Sequence, residues 1–241
     1  MNKKKLFIIL SIVVALIITG IIITIIVINN KEDDDSSFNS NNYYNEQNEK
    51  TDKTEKEVKK ELTESEKLNL KLSSLVSEKL VFDAGDYVQG DIPAGEYAFI
   101  KFDDSGSYYE EDDAAGNIID NENFSSFGYV KVHASGDLTT RGILVNVTAF
   151  DKLEVSGAKQ IYEVLNEKEN WNQSGFYKVG NDIEPGKYII ESIGTAYYAK
   201  LSGPVSSNRI IDNDNFNGKK TVTVKSGQYL EVNRASIVKA E

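Results

Sequence analysis

The chain has no cysteine, a single histidine and too few basic side chains to balance its acids. Without cysteine, no disulfide and no thiolate metal site can form. His133 stands alone, so no Ser-His-Asp or Cys-His set can be assembled around it. No glycine-rich phosphate loop occurs, and the carboxylates are too numerous to single out an acid–base pair. The chain is therefore expected not to be an enzyme. Its net charge is −11, and residues 81–241 carry 15 basic against 25 acidic side chains. Such an acidic body repels phosphate backbones, which argues against nucleic acid as a partner.

Charge is missing altogether from LFIILSIVVALIITGIIITIIVI, residues 6–28. As a helix this run is roughly 35 Å long, enough to cross a ~30 Å hydrocarbon core. A cleavable signal peptide has a shorter apolar core and a small-x-small site, whereas this run ends in Val27, Ile28, Asn29 and Asn30. An uncleaved transmembrane helix is expected. Lys3, Lys4 and Lys5 precede it and Lys-Glu-Asp-Asp-Asp follows, so residues 1–5 are expected in the cytoplasm and the body outside. The localisation that follows is a cell membrane, single-pass, type II, with the C-terminal body extracytoplasmic.

Residues 29–53 are polar and predict a disordered linker. Residues 54–79 lack glycine and proline and space Val58, Leu62, Leu68, Leu72 and Leu75 on a helical period. They predict a stalk helix resting lightly on the body, with the apolar stripe broken at Ser65 and Asn69.

The remainder is written twice. AGDYVQGDIPAGEY at 84–97 returns as SGFYKVGNDIEPGKY at 174–188, and NIIDNENF at 117–124 returns as RIIDNDNF at 209–216. Aligning residues 144–158 with 221–235 leaves 125–141 as an extra strand inserted in the first copy. Short β-branched and aromatic runs alternate with turn residues, and TVTV and YLEV alternate sides. The expected fold is all-β: two tandem small antiparallel sandwich or barrel modules, at 80–165 and 172–241, behind the anchor and stalk. Ile92, Tyr97, Ile119 and Val145 are expected in the first core, and Ile183, Tyr188, Ile211 and Val222 in the second.

The pattern carried by Gly175 to Tyr188, Ile210 to Phe216 and Thr221 to Ala235 resembles small β modules of secreted and membrane-anchored proteins of low-GC Gram-positive bacteria. The first copy carries it less completely. The resemblance implies an extracytoplasmic β module and brings no activity with it.

Candidate sites follow from residue type. Tyr108-Tyr109 and Tyr197-Tyr198 are pairs, and in a strand one of each faces outward to stack on a sugar or anchor a protein. Trp171 sits in the join between copies, where it either packs or meets ligand. Asp120, Asn121, Asn123, Asp212, Asp214 and Asn215 are hard oxygen donors of the kind calcium takes. The EF-loop pattern fails, because Phe216 stands where a third ligand belongs, and Asx turns are the simpler expectation. Calcium is accordingly the one ion considered, and no other cofactor is expected. Glu110 to Asp113 reads as a solvated acidic loop. The expected function is a membrane-anchored surface protein presenting two duplicated modules to an envelope glycan or protein. The alternative is an accessory subunit acting through its membrane helix and stalk.

Overall fold

The computed structural model describes residues 61–102, 106–134, 136–207 and 209–241. The cytoplasmic tail, the anchor, the linker and the start of the stalk helix expected from the sequence lie outside these residues. No helix among the described residues is long and apolar enough to cross a membrane. The described residues belong to one unit, Val58–Glu241.

The fold is mostly β, in three antiparallel sheets with a few helices. The first copy builds two sheets. One runs β1 (Val81–Phe82), β8 (Ile143–Asn146), β3 (Gly95–Ile100) and β6 (Phe127–Val132). The other runs β2 (Gly85–Tyr87), β7 (Leu138–Thr140), β4 (Tyr108–Asp112) and β5 (Ile118–Asn123). The second copy makes the same pairings within one bent sheet of β9 (Gly175–Lys178), β10 (Gly186–Leu201), β11 (Ile210–Phe216), β12 (Lys219–Val224) and β13 (Tyr229–Lys239). Here β10 takes the place of β3 and β4, and β13 that of β7 and β8. The bend falls where the β10–β13 register breaks between Ser192 and Tyr197. On β13, Arg234 adopts a left-handed φ of 53° beside this break.

Register corrects one expectation from the sequence. Residues 125–141 are not an insertion. Gly95 faces Val132 and Tyr97 faces Val130 across β3–β6. Gly186 faces Val224 and Tyr188 faces Val222 across β10–β12. Strand β6 is therefore the counterpart of β12, and β7 pairs with β2 as β13 pairs with β9: Tyr87 faces Leu138, Tyr177 faces Leu230.

The recurring Gly-x-Tyr also has a structural reason. The hydroxyls of Tyr87, Tyr97 and Tyr188 donate to the carbonyls of Asp83, Pro93 and Glu184, four residues upstream, at 2.7, 2.8 and 2.7 Å. Tyr177 does the same to Gln173. Each ring doubles back over the start of its strand and ties down the entering turn, much as in a tyrosine corner. At Gly95 a Cβ would come within 3.3 Å of the Tyr97 ring, so glycine leaves the ring its place.

The stalk helix is shorter than predicted and belongs to the body. It is α1 (Glu64–Val76), opened by a capping box in which Thr63 and Glu66 satisfy each other's backbone N–H. Leu68, Leu72 and Leu75 are 4–5% exposed and join the core. Each such leucine contributes roughly 2 kcal/mol by leaving water, so this is more than light contact.

Between the copies lie α2 (Phe150–Leu153) and α3 (Ala158–Leu165). The first backbone N–H groups of α3 are taken by both copies. Ala158 N–H donates to the Tyr129 hydroxyl at 2.9 Å, and Lys159 N–H to Asp182 at 2.8 Å. Asp182 also accepts Lys178 N–H at 2.7 Å and bonds Tyr129. Burial nonetheless pushes its carboxyl up to about 6. A Cβ on Gly157 would sit 2.3 Å from Asp182 Oδ1, so only glycine admits this cap. Tyr129 meets Tyr229 edge-on at 5.6 Å, and Lys178 pairs with Glu96 at 2.6 Å, closing the joint.

Candidate functional site

The repeated octapeptides are strands rather than the expected turns. NIIDNENF supplies β5 and RIIDNDNF supplies β11, each at the edge of its sheet. Asparagine and aspartate are poor strand formers alone, but pairing with the tyrosine-rich β4 and β10 imposes the conformation. Tyr108 lies opposite Asn123 and Glu110 opposite Asn121. Tyr197 lies opposite Asn215 and Ala199 opposite Asn213.

Alternation along each strand then sorts the side chains. Tyr109 and Tyr198 turn inward and are 0% and 2% exposed. Tyr109 directs its hydroxyl to buried Glu111 at 3.3 Å, and Tyr198 donates to Asp212 at 3.0 Å. Burial, followed by the neighbouring carboxylates, raises both phenols. Of the two tyrosine pairs, only Tyr108 and Tyr197 remain partly accessible. They share a face with Asn121 and Asn123 in the first copy, and with Asn213 and Asn215 in the second, all four asparagines being exposed. Ile119 and Ile211, expected in the core, are the unpaired residues where each register shifts, at 37% and 48% exposure. A row of tyrosine and two asparagines is thus presented once by each copy. An aromatic face with flanking amides can stack on a ring and bond its hydroxyls.

The strand conformation separates the proposed calcium donors. Asp120 and Glu122 point to one side of β5, Asn121 and Asn123 to the other. The carboxylates already have partners: Asp120 accepts Ser206 N–H at 2.8 Å, Asp212 the Tyr198 hydroxyl, and Asp214 the Lys220 ammonium at 2.6 Å. Among the described residues no group of acidic side chains and histidine is arranged to hold a metal ion.

The acidic run is not a solvated loop, because Glu110 to Asp112 are strand β4. Glu111 is 2% exposed and accepts His133 N–H at 2.6 Å, with His133 Nδ1 at 3.0 Å. Asp113 closes a turn by accepting from Ala115 and Asn117, bonds that hold its carboxyl below the usual range. Trp171 stacks edge-on against Tyr162 at 5.2 Å and donates its indole N–H to Ser174 at 3.1 Å, at the joint and apart from the asparagine rows.

Sequence reasoning missed Glu231. Burial, then the charge of Glu122, pushes it up to about 7, and the two line a small cavity together with Asn123 and Asn233. The signal was hidden because Glu122 and Glu231 come from different copies.

These features define a duplicated antiparallel β protein whose two edge strands carry the same outward row. Residues 169–230 match the family model of the Rv1352-like extracellular domain. The matched segment contains β9 to β12 and the whole second row, with Tyr197, Asn213 and Asn215. An extracellular domain agrees with the extracytoplasmic placement expected from the charges around residues 6–28, and no activity comes with the match. No curated protein and no solved structure matches the chain.

Proposed function

We propose that this chain is a non-enzymatic cell-surface binding protein. Residues 6–28 anchor it, and the two tyrosine–asparagine rows engage a neutral glycan of the cell envelope. The observation that carries this reading is the recurrence of one row, half-buried Tyr108 with exposed Asn121 and Asn123 and half-buried Tyr197 with exposed Asn213 and Asn215, at equivalent register in both copies. Core packing has no use for the exposed asparagines, so their repetition calls for another reason. The acidic balance of the body disfavours an anionic polymer. Two linked sites gain retention through effective concentration.

The test is co-sedimentation of residues 58–241 with isolated cell-wall sacculi. Tyr108→Ala and Tyr197→Ala should each weaken retention modestly, and the double variant at least tenfold, with folding unchanged. Retention of the double variant at the parental level would overturn the reading and favour an accessory subunit acting through residues 6–28.

A further inference from the structure

The two edge strands share a sequence but differ in what closes their outer side. Phe124 N–H donates inward to Ser107 O at 2.8 Å, so by alternation the N–H groups of Asn121 and Asn123 point away from β4. In β5 these groups are already satisfied. Asn121 N–H donates to Asp120 Oδ1 at 2.9 Å and Asn123 N–H to Glu122 Oε1 at 2.8 Å. Ser206, from the loop between β10 and β11, adds its own bond to Asp120. The other long edge of the first copy, β6, is closed as well. Val205 lies parallel to Val130, accepting Lys131 N–H at 2.8 Å and donating to Tyr129 O at 3.0 Å.

Strand β11 has none of these closures. Asn213 and Asn215 stand at the register positions of Asn121 and Asn123, and β11 pairs with β10 alone. Asp212 and Asp214 are turned to Tyr198 and Lys220 rather than back to the strand's own backbone. Among the described residues nothing accepts the outward N–H groups of Asn213 and Asn215. Seven residues of backbone, begun by exposed Ile210 and Ile211, are left open.

We infer that the outer edge of β11 is a strand-addition site for an extended segment of a protein partner. Regularly spaced N–H and C=O groups are complemented by another extended backbone, and the fold itself supplies the precedent in Val205 on β6. A second copy of β11 does not fit. Antiparallel registers centred on residues 212, 213 or 214 all set one aspartate opposite another, which is repulsive. The occupant is therefore a different chain, neutral or basic where it faces Asp212 and Asp214 and β-branched where it meets Ile211. Asn213 and Asn215 belong to both readings, but this site uses their backbone N–H groups, whereas the glycan reading uses the Tyr197 ring and the asparagine amides.

The test uses the full chain in detergent micelles and a capped probe peptide, Val-Lys-Val-Lys-Val, with Val-Glu-Val-Glu-Val as its counterpart. Amide hydrogen exchange is followed residue by residue. The expected result is saturable binding of the lysine peptide at one site per chain. Exchange at Asn213 and Asn215 should slow at least tenfold, with Asn121 and Asn123 unchanged and the glutamate peptide inert. Asn213→Pro deletes an outward N–H without touching the β10 ladder and should abolish peptide binding with the melting temperature unchanged, while Tyr197→Ala should weaken retention on sacculi and leave peptide binding as it was. No protection at Asn213 and Asn215, or equal protection of Asn215 in the proline variant, would overturn the assignment.

Discussion

One sheet face is seen in two environments. In the first copy Ile100, Phe127 and Tyr129 on β3 and β6 are fully buried beneath α3 and the second copy. The same register positions in the second copy are Glu191, Lys219 and Thr221, all exposed. The ladder is the same and the chemistry has reversed. Interior-facing residues such as Tyr97 and Tyr188 stay alike because both copies have a core to fill. Outward residues follow whatever covers them. The second copy thus turns a polar face outward at these positions, as capping repeats do elsewhere.

The strongest way to break this comparison is to exchange residues across it. Phe127→Lys places an unpaired charge in the joint and should cost at least ~4 kcal/mol, enough to unfold a marginal protein. The reciprocal Lys219→Phe should lie within about 0.5 kcal/mol of the parent. Urea denaturation of both variants decides it, and equal effects would mean the two faces are not differently covered. A smaller effect is expected at the α3 cap. Gly157→Ala forces a Cβ against Asp182 and should cost about 1–3 kcal/mol, read as a lower melting temperature.

The smallest effect concerns pH. Asp182 and Glu231 are both raised in the folded protein, to about 6 and about 7. The folded state therefore holds protons more tightly than the unfolded one between pH ~4 and ~7, and stability falls as pH rises through that window. Glu231→Gln removes one of the two titrations. It should raise stability by ~1–2 kcal/mol at pH 8 and leave it unchanged near pH 4. A variant no more stable than the parent at pH 8 would show that Glu231 carries no burial cost.

The same comparison explains what could be read from the sequence. The duplication, with its recurring Gly-x-Tyr, and the alternating strands were legible because both copies need them for the same internal reasons. The pairing of β6 with β12 was not. FGYVKV is apolar on both sides because it is covered on both, whereas KKTVTV alternates, so the two do not look alike. The alignment therefore slid to LVNVTAF and left a false insertion. Ile119 and Ile211 were expected inside because isoleucine usually is, but both fall at the register shift of an edge strand and stay 37% and 48% exposed. The inward turn of Tyr109 and Tyr198, rather than Tyr108 and Tyr197, needed the strand register, which two adjacent tyrosines do not reveal. The acidic octapeptide letters read as turn formers because their tyrosine partners on β4 and β10 lie 13 to 18 residues upstream.

The α3 cap has a mechanical consequence. Its N–H groups are gripped at once by Tyr129 from one copy and Asp182 from the other. The two rows are consequently held like the jaws of a fixed calliper, and not like beads on a string. A flexible tether would let affinity grow smoothly with the length of the bound chain. If the rows bind a glycan as proposed, a calliper sets a threshold: oligomers too short to bridge the jaws would bind through one row only, and the first that spans both would gain abruptly.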